Sequence, residues 1–397
     1  MRLILLFFFV IYCPASAITL DNAINYALMN NKEIKISSLN IQDKLGLLKN
    51  QESIYDINFS AGLDYQDLKT PSTSAFAAND KINETITNYS LGFNGYLPSG
   101  TNYYITPFKL KKIESDLGTN SMSPKWESTF EIGLSQNIFK DFGNSINNSL
   151  IFVSKNNSKI SKIEFEKIVS KTILNVKRNF YGSLLAKKKI ALADASLNLA
   201  KDLVVKNEYQ VEAGTLPKIS LLQAKAAVAF RQVELIKAEN EYESSIDNLK
   251  ISMSMPLDED LVVDGGIIKT DESLSDLDKV SQIAFNNRPE IKQSKLKIKS
   301  SKQMVEYYKN QLLPDFNLEA SLGYAGLGGK ESSNYSSAIL GPPSIDSKYD
   351  SGLNDSINNL SSGQNLSWKI GASINIPLGN IKGKGELKSA KAKMQID

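Results

Sequence analysis

Four stretches of this chain alternate between apolar and polar residues with a period of two. Residues 57–66 (INFSAGLDYQ) put Ile57, Phe59, Ala61, Leu63 and Tyr65 on one face and Asn58, Ser60, Gly62, Asp64 and Gln66 on the other. Residues 130–138 (FEIGLSQNI), 316–324 (FNLEASLGY) and 368–376 (WKIGASINI) do the same. Alternation over about 9–11 residues matches the length and pattern of a strand crossing a bilayer. Tyr65, Trp126, Tyr324 and Trp368 are expected near strand ends, as interfacial aromatics. An ordinary half-buried sheet would explain one such strand. Four of them, placed symmetrically in an exported chain, favour the membrane.

This pattern constrains assembly. Four to six strands cannot by themselves close a membrane barrel, whose smallest members have about eight. An open sheet edge in lipid leaves backbone groups unpaired at several kcal/mol each. Strands of several chains must therefore share one barrel. TNYSLGFNGYL and TNYYITPFKL, around Pro98-Ser99-Gly100, suggest an extra hairpin within residues 86–110. Residues 67–85, 111–125 and 325–366, rich in Ser, Asn, Gly and Asp, read as long exposed loops. GLGGK at 326–330 is not a phosphate loop: Glu331 stands where Ser or Thr is needed.

Export is read from MRLILLFFFVIYCPASA: Arg2, an apolar run from Leu3 to Cys13, and the small-residue site Ala15-Ser16-Ala17. Cleavage is expected before Ile18. Tyr12 precedes Cys13 where a lipid-anchor site wants a small residue, so cleavage leaves a chain without cysteine. No later run is apolar enough over about 18 residues to span as a helix.

The chain also repeats. ALMNNKEIK (27–35) corresponds to AFNNRPEIK (284–292), with Phe59 matching Phe316, all 257 residues apart. FEIGLSQNIF (130–139) corresponds to WKIGASINIP (368–377) at a spacing of 238 residues. Two matches in one order argue for an internal duplication.

Between the copies lie long helical segments. Residues 154–209 would be about 80 Å long as one helix and residues 217–255 about 58 Å. In the second, Leu221, Val228, Leu235, Tyr242 and Leu249 recur every seven residues. Beside them run Leu222, Ala226, Ala229, Val233 and Ile236. Two adjacent coiled-coil seams give a helix neighbours on two sides, in a cylinder wall or a bundle. Between the helices, Gly214 suits a left-handed helix end, and Pro217 the first turn of the next helix. Only Thr215 and Leu216 separate them, so the helices form an antiparallel hairpin.

Chemistry is constrained by absence. The sequence has no histidine and one cysteine, which removes His- and Cys-based catalysis and metal binding. Nothing singles out a carboxylate pair, so neither enzyme activity nor a cofactor is expected. With 46 basic and 43 acidic residues the net charge is +3, which gives no sign of nucleic-acid binding.

TLDNAINYALMNNKEI (19–34) and its second copy, the segment VEAGTLPKISLLQAKAAVAFRQVELIKAENEYESSIDNLK (211–250), and QNIFKDFG (136–143) resemble the recurrent patterns of the outer-membrane efflux protein (TolC) family. The resemblance implies an α+β membrane protein with an internal duplication. A coiled-coil hairpin would form part of a periplasmic tunnel, and four or more transmembrane strands would contribute to a shared trimeric β-barrel. Four strands per copy would make twelve. The implied partners are a homotrimer, a periplasmic adaptor protein, an inner-membrane transporter and outer-membrane lipid. The adaptor contact would lie at the hairpin tip, Gly214, Thr215, Leu216 and Pro217. Location would be the outer membrane with the helices in the periplasm, and function passive conduction in efflux or type I secretion.

The expected organisation is a signal peptide (1–17), a first-repeat helix (18–56), strands with long loops (57–140) and a helical hairpin (141–260). A linker with the second-repeat helix (261–313), second-repeat strands (314–378) and the start of a second hairpin (379–397) follow. By the repeat spacing, the second tip would fall near position 452, so about 100 residues of that hairpin are missing relative to the family pattern. Two alternatives are a periplasmic coiled-coil adaptor or scaffold, and a non-functional fragment of a channel.

Overall fold

A threonine starts the first helix of the computed structural model, which describes residues 17–77, 80–266 and 276–397. The expected signal peptide, apart from Ala17, lies outside the described residues. The Thr19 side chain accepts the N–H of Asn22, capping α1 (Leu20–Asn30). Asn31 then leaves the helical conformation, and its Oδ1 accepts the N–H groups of Glu33 and Ile34 to start α2 (Lys32–Glu52). In the second copy, Asp276 caps α6 (Leu277–Asn287), and Pro289 takes the first position of α7 (Pro289–Asn310), where its missing N–H leaves no bond unmade. The starts of α1 and α6, and of α2 and α7, are each 257 residues apart.

The strands are β1 (Asn58–Pro71), β2 (Lys81–Tyr96), β3 (Thr101–Ser115), β4 (Met122–Asn137), β5 (Asp315–Glu331) and β6 (Leu366–Asn375). They form one antiparallel meander in the order β1-β2-β3-β4-β5-β6. Six strands are present, in keeping with the four or more expected, and the extra hairpin sits in the sheet between β1 and β4. Most of the segments read as loops at 67–85 and 111–125 are strand. β1 and β5 begin 257 residues apart, and β4 and β6 end 238 apart.

The helical elements are a short α3 (Asn144–Asn147), α4 (Ser149–Glu212), α5 (Lys218–Met253), α8 (Ser337–Leu340), α9 (Leu353–Ser361) and α10 (Ile381–Ile396). α4 runs unbroken through Gly182. Among the described residues no helix is long and apolar enough to cross a membrane.

The chain divides into two compact units. One comprises the chain to Lys44 and Ser158–Gln293. Its core joins Ala23 and Ala27 of α1, Val176 and Phe180 of α4, and Ile246, Leu249 and Met253 of α5 to Val263. Ile18 forms a parallel bridge with Val263, so the start of the described chain is tied to this core. The two long helices approach closely where their contacts are small: Ser183 Oγ donates to the Ser245 carbonyl at 3.0 Å. Lys189–Glu241 and Lys225–Glu208 ion pairs link the same helices at 2.7 and 3.0 Å. The other unit, Leu45–Asn157 and Ser294–Asp397, holds the sheet.

Candidate conduit wall and docking tip

The pleat sorts the six strands into two chemically distinct faces. On one, Phe59, Phe93, Ile105, Ile132, Leu322 and Trp368 form a single cross-strand row through the whole sheet. Rows on the same face add Leu63, Tyr89 and Leu110, and Leu134 beside Ala320. These side chains are large, apolar and mostly solvent-exposed in the single chain: Phe59 is 61% and Trp368 70% accessible. Such a continuous apolar surface requires cover.

The opposite face is polar. Ser60, Asp64, Asn88, Ser90, Lys111, Glu127, Glu131, Ser135, Glu319 and Lys369 all point there. Tyr104 donates its hydroxyl to Glu131 at 2.6 Å, and Lys125 pairs with Glu127 at 2.7 Å. Acidic groups outnumber basic ones on this face, and the surface suits water rather than lipid. The expected aromatic girdle is only partly met. Tyr65 and Trp126 share the row that passes through Thr87 and Lys112, but Trp368 lies in the Phe59 row. The strands extend further than the sequence pattern reveals, which moves Tyr65 and Tyr324 away from strand ends.

In the β5–β6 connection, α9 lies on the apolar face. Gly326 and Gly328 carry no Cβ there, and Ser128 Oγ donates to the Ser356 carbonyl at 2.7 Å. Between α9 and β1–β3 an apolar groove of about 670 Å³ is lined by Leu63, Tyr89, Leu91, Phe108, Leu353 and Ile357, among others.

The predicted tip residues lie together as a tight turn. α4 ends at Glu212, and Gly214 takes φ +71°. Its N–H donates to the Val211 carbonyl at 3.0 Å, and that of Thr215 to the Gln210 carbonyl at 2.9 Å. This is a Schellman motif, and it satisfies the last carbonyls of the helix. Pro217 has ψ 144° and stands just before α5, one position earlier than the first turn expected for it. Gly214, Thr215 and Pro217 are exposed and Leu216 is half-buried.

Of the two seams on α5, the first is spent within the chain. Leu249 is buried, and Leu221, Val228, Leu235 and Tyr242 are half-buried. The second seam, Leu222, Ala226, Ala229, Val233 and Ile236, is exposed along its length. α4 carries a matching exposed series missed in the sequence, Leu185, Leu192 and Leu199, at 53%, 69% and 71% accessibility. Its seven-residue spacing was the available signal. Among the described residues no cluster of acidic, His or Cys side chains is arranged to hold a metal ion.

No protein-family model and no curated protein matches the sequence. Solved structures do match. The Campylobacter jejuni CmeC outer membrane channel superposes with a TM-score of 0.57 at 16% identity, over 95% of this chain and 65% of that one. The Vibrio cholerae outer membrane protein VceC gives 0.58 at 16% identity, over 95% of this chain and 72% of that one. The open state of the Neisseria gonorrhoeae MtrE outer membrane channel gives 0.53 at 14% identity, over 95% and 67%. The chain thus spans about two thirds of the length of each of these structures. It has the fold of these outer-membrane proteins, as the resemblance read from the sequence implies.

Proposed function

We propose that this chain, built on the fold of outer-membrane channel subunits, is itself one subunit of a trimeric channel. The channel conducts solutes passively from the periplasm to the exterior, as the outermost part of an efflux or type I secretion system. The observation that carries this reading is the six-stranded sheet, with one apolar face, one polar face and two open edges. In lipid, the apolar face needs no further cover, the polar face lines water, and the edges are satisfied by neighbouring copies. The exposed seams on α4 and α5 supply the corresponding contacts for a helical wall in the periplasm. The exposed turn at Gly214–Pro217 would meet a periplasmic adaptor, and an inner-membrane transporter would supply the energy. No step requires catalysis or a cofactor.

A periplasmic adaptor would account for the hairpin but not for a sheet with a continuous apolar face. Membrane fractionation with gel analysis separates the two. The channel reading expects the exported chain in the outer membrane as trimers that dissociate on heating. Recovery wholly in the soluble periplasm would refute it.

A further inference from the structure

The number of strands and the repeat spacing together point to the way copies join. We propose that β6 of one copy pairs antiparallel with β1 of the next in the register Ala372–Leu63, closing a barrel of eighteen strands in three copies. This rests on the trimeric channel reading and adds to it the joint and the bore.

The register follows from the duplication. β1 corresponds to β5 at the spacing of 257 residues, and β4 to β6 at 238. The joint between copies is then the counterpart of the joint between repeats, β4 with β5. There Leu134 faces Ala320, Ile132 faces Leu322 and Gly133 faces Ser321. Carried over by the two spacings, Ala372 faces Leu63, Ile370 faces Tyr65 and Gly371 faces Asp64. At these positions an apolar residue meets an apolar one, as Ile374 does with Ala61, whereas Trp368 comes opposite Asp67; Lys369 comes diagonal to Asp64. A slip of one residue would set apolar side chains against the polar face. With an even number of strands per copy, β6 and the next β1 run in opposite directions, as the pairing requires.

Barrel geometry gives an independent check. The row that leaves Asn58 passes Asn94, Tyr104, Gly133, Ser321 and Lys369. Across the proposed joint Lys369 faces Gln66 of the next copy, about eight residues further along β1 than Asn58. A climb of about eight residues at 3.3 Å each, over six strands about 4.8 Å apart, tilts the strands by about 43°. Membrane barrels tilt by about 35–45°. At that tilt eighteen strands enclose a backbone diameter of about 38 Å, about 1.5 times that of twelve. The inserted β2–β3 hairpin is therefore a widening of the bore. Its two faces continue those of its neighbours: Leu91 lies on the apolar face and Ser90 on the polar one.

Two cysteine experiments on the full chain test this. The only native cysteine, Cys13, falls in the expected signal peptide. The double variant Leu63→Cys, Ala372→Cys should give reducible links between copies in outer-membrane fractions, whereas Asp64→Cys with Ala372→Cys, on opposite faces, should not. Separately, Ser90→Cys should react with a membrane-impermeant thiol reagent and Leu91→Cys should be protected. A linked slipped pair, no link from the first pair in trimers, or equal labelling at both positions would overturn the eighteen-stranded joint alone. Absence of the chain from the outer membrane would overturn the channel reading and this joint with it.

Discussion

A Cβ placed on Gly326 would overlap the carbonyl oxygen of Ser356, because α9 lies directly on β5 at that point. The same atom would also stand 2.6 Å from Ser128 Oγ and 2.7 Å from the Leu360 nitrogen. Two of these three contacts are backbone and cannot rotate away. Gly326→Ala should therefore weaken the docking of α9 by about 1–3 kcal/mol, as overpacking does. Protease cleavage within residues 332–365 reports it, and a rise of roughly five- to a hundredfold in rate is expected. An unchanged rate would mean that α9 does not rest on the strand.

Ser254 ends α5 in the same way that Gly214 ends α4. Its φ is +59°, its N–H donates to the Ile251 carbonyl at 3.0 Å, and the N–H of Met255 donates to the Lys250 carbonyl at 2.9 Å. A side chain in this left-handed conformation costs about 1–2 kcal/mol. The return is slight, since Ser254 Oγ accepts only a long bond from the Lys32 N–H at 3.4 Å. Ser254→Gly should stabilise the protein by roughly 0.5–1 kcal/mol after the added chain entropy of glycine. Urea denaturation of the wild type and the variant would measure it, and a loss of stability would contradict the assignment.

Much of this fold was legible because its signals are local. The Gly214 turn and the four alternating stretches each sit within a few residues. The β2–β3 hairpin was only partly legible, and its outer third was read as loop. KLKKIES (109–115) has three lysines in seven residues, yet all seven belong to β3. In a strand with one wet face, half the residues carry no hydrophobic requirement, so composition resembles a loop. A shift of register between Thr106 and Lys109 also breaks the alternation midway. The division of labour between the α5 seams was illegible for another reason. Periodicity marks both stripes, but only the position of α4 decides which one is covered.

Phe180 is the largest fully buried side chain, 2% accessible, and it lies in the cluster that holds α1, α4 and α5 together. Its ring meets that of Tyr181 edge-on at 5.8 Å, and Gly265 passes beside it. Truncation leaves a cavity that three helices and the Val263 segment cannot all close. Phe180→Ala should cost about 3–5 kcal/mol, and Phe180→Leu much less. Thermal unfolding followed by circular dichroism distinguishes them. Equal effects of the two substitutions would show that the site collapses freely.

The turn at Gly214, proposed above as the adaptor contact, offers a place to test docking apart from assembly. No atom lies within 4 Å of a Cβ placed there, so a larger side chain meets no steric obstacle from packing. Only the backbone objects: φ +71° is disfavoured for a β-branched residue by roughly 1–2 kcal/mol. Gly214→Val should thus displace the N–H of Thr215 from Gln210 and reshape the exposed tip, while the sheet folds and inserts as before. A photo-crosslinker at position 215, with the adaptor co-expressed, reads the docking directly. The expected result is a several-fold drop in both crosslinking and export at unchanged outer-membrane levels. Unchanged crosslinking and export would place the adaptor contact elsewhere, and loss of the protein from the membrane would show that the turn is needed for folding.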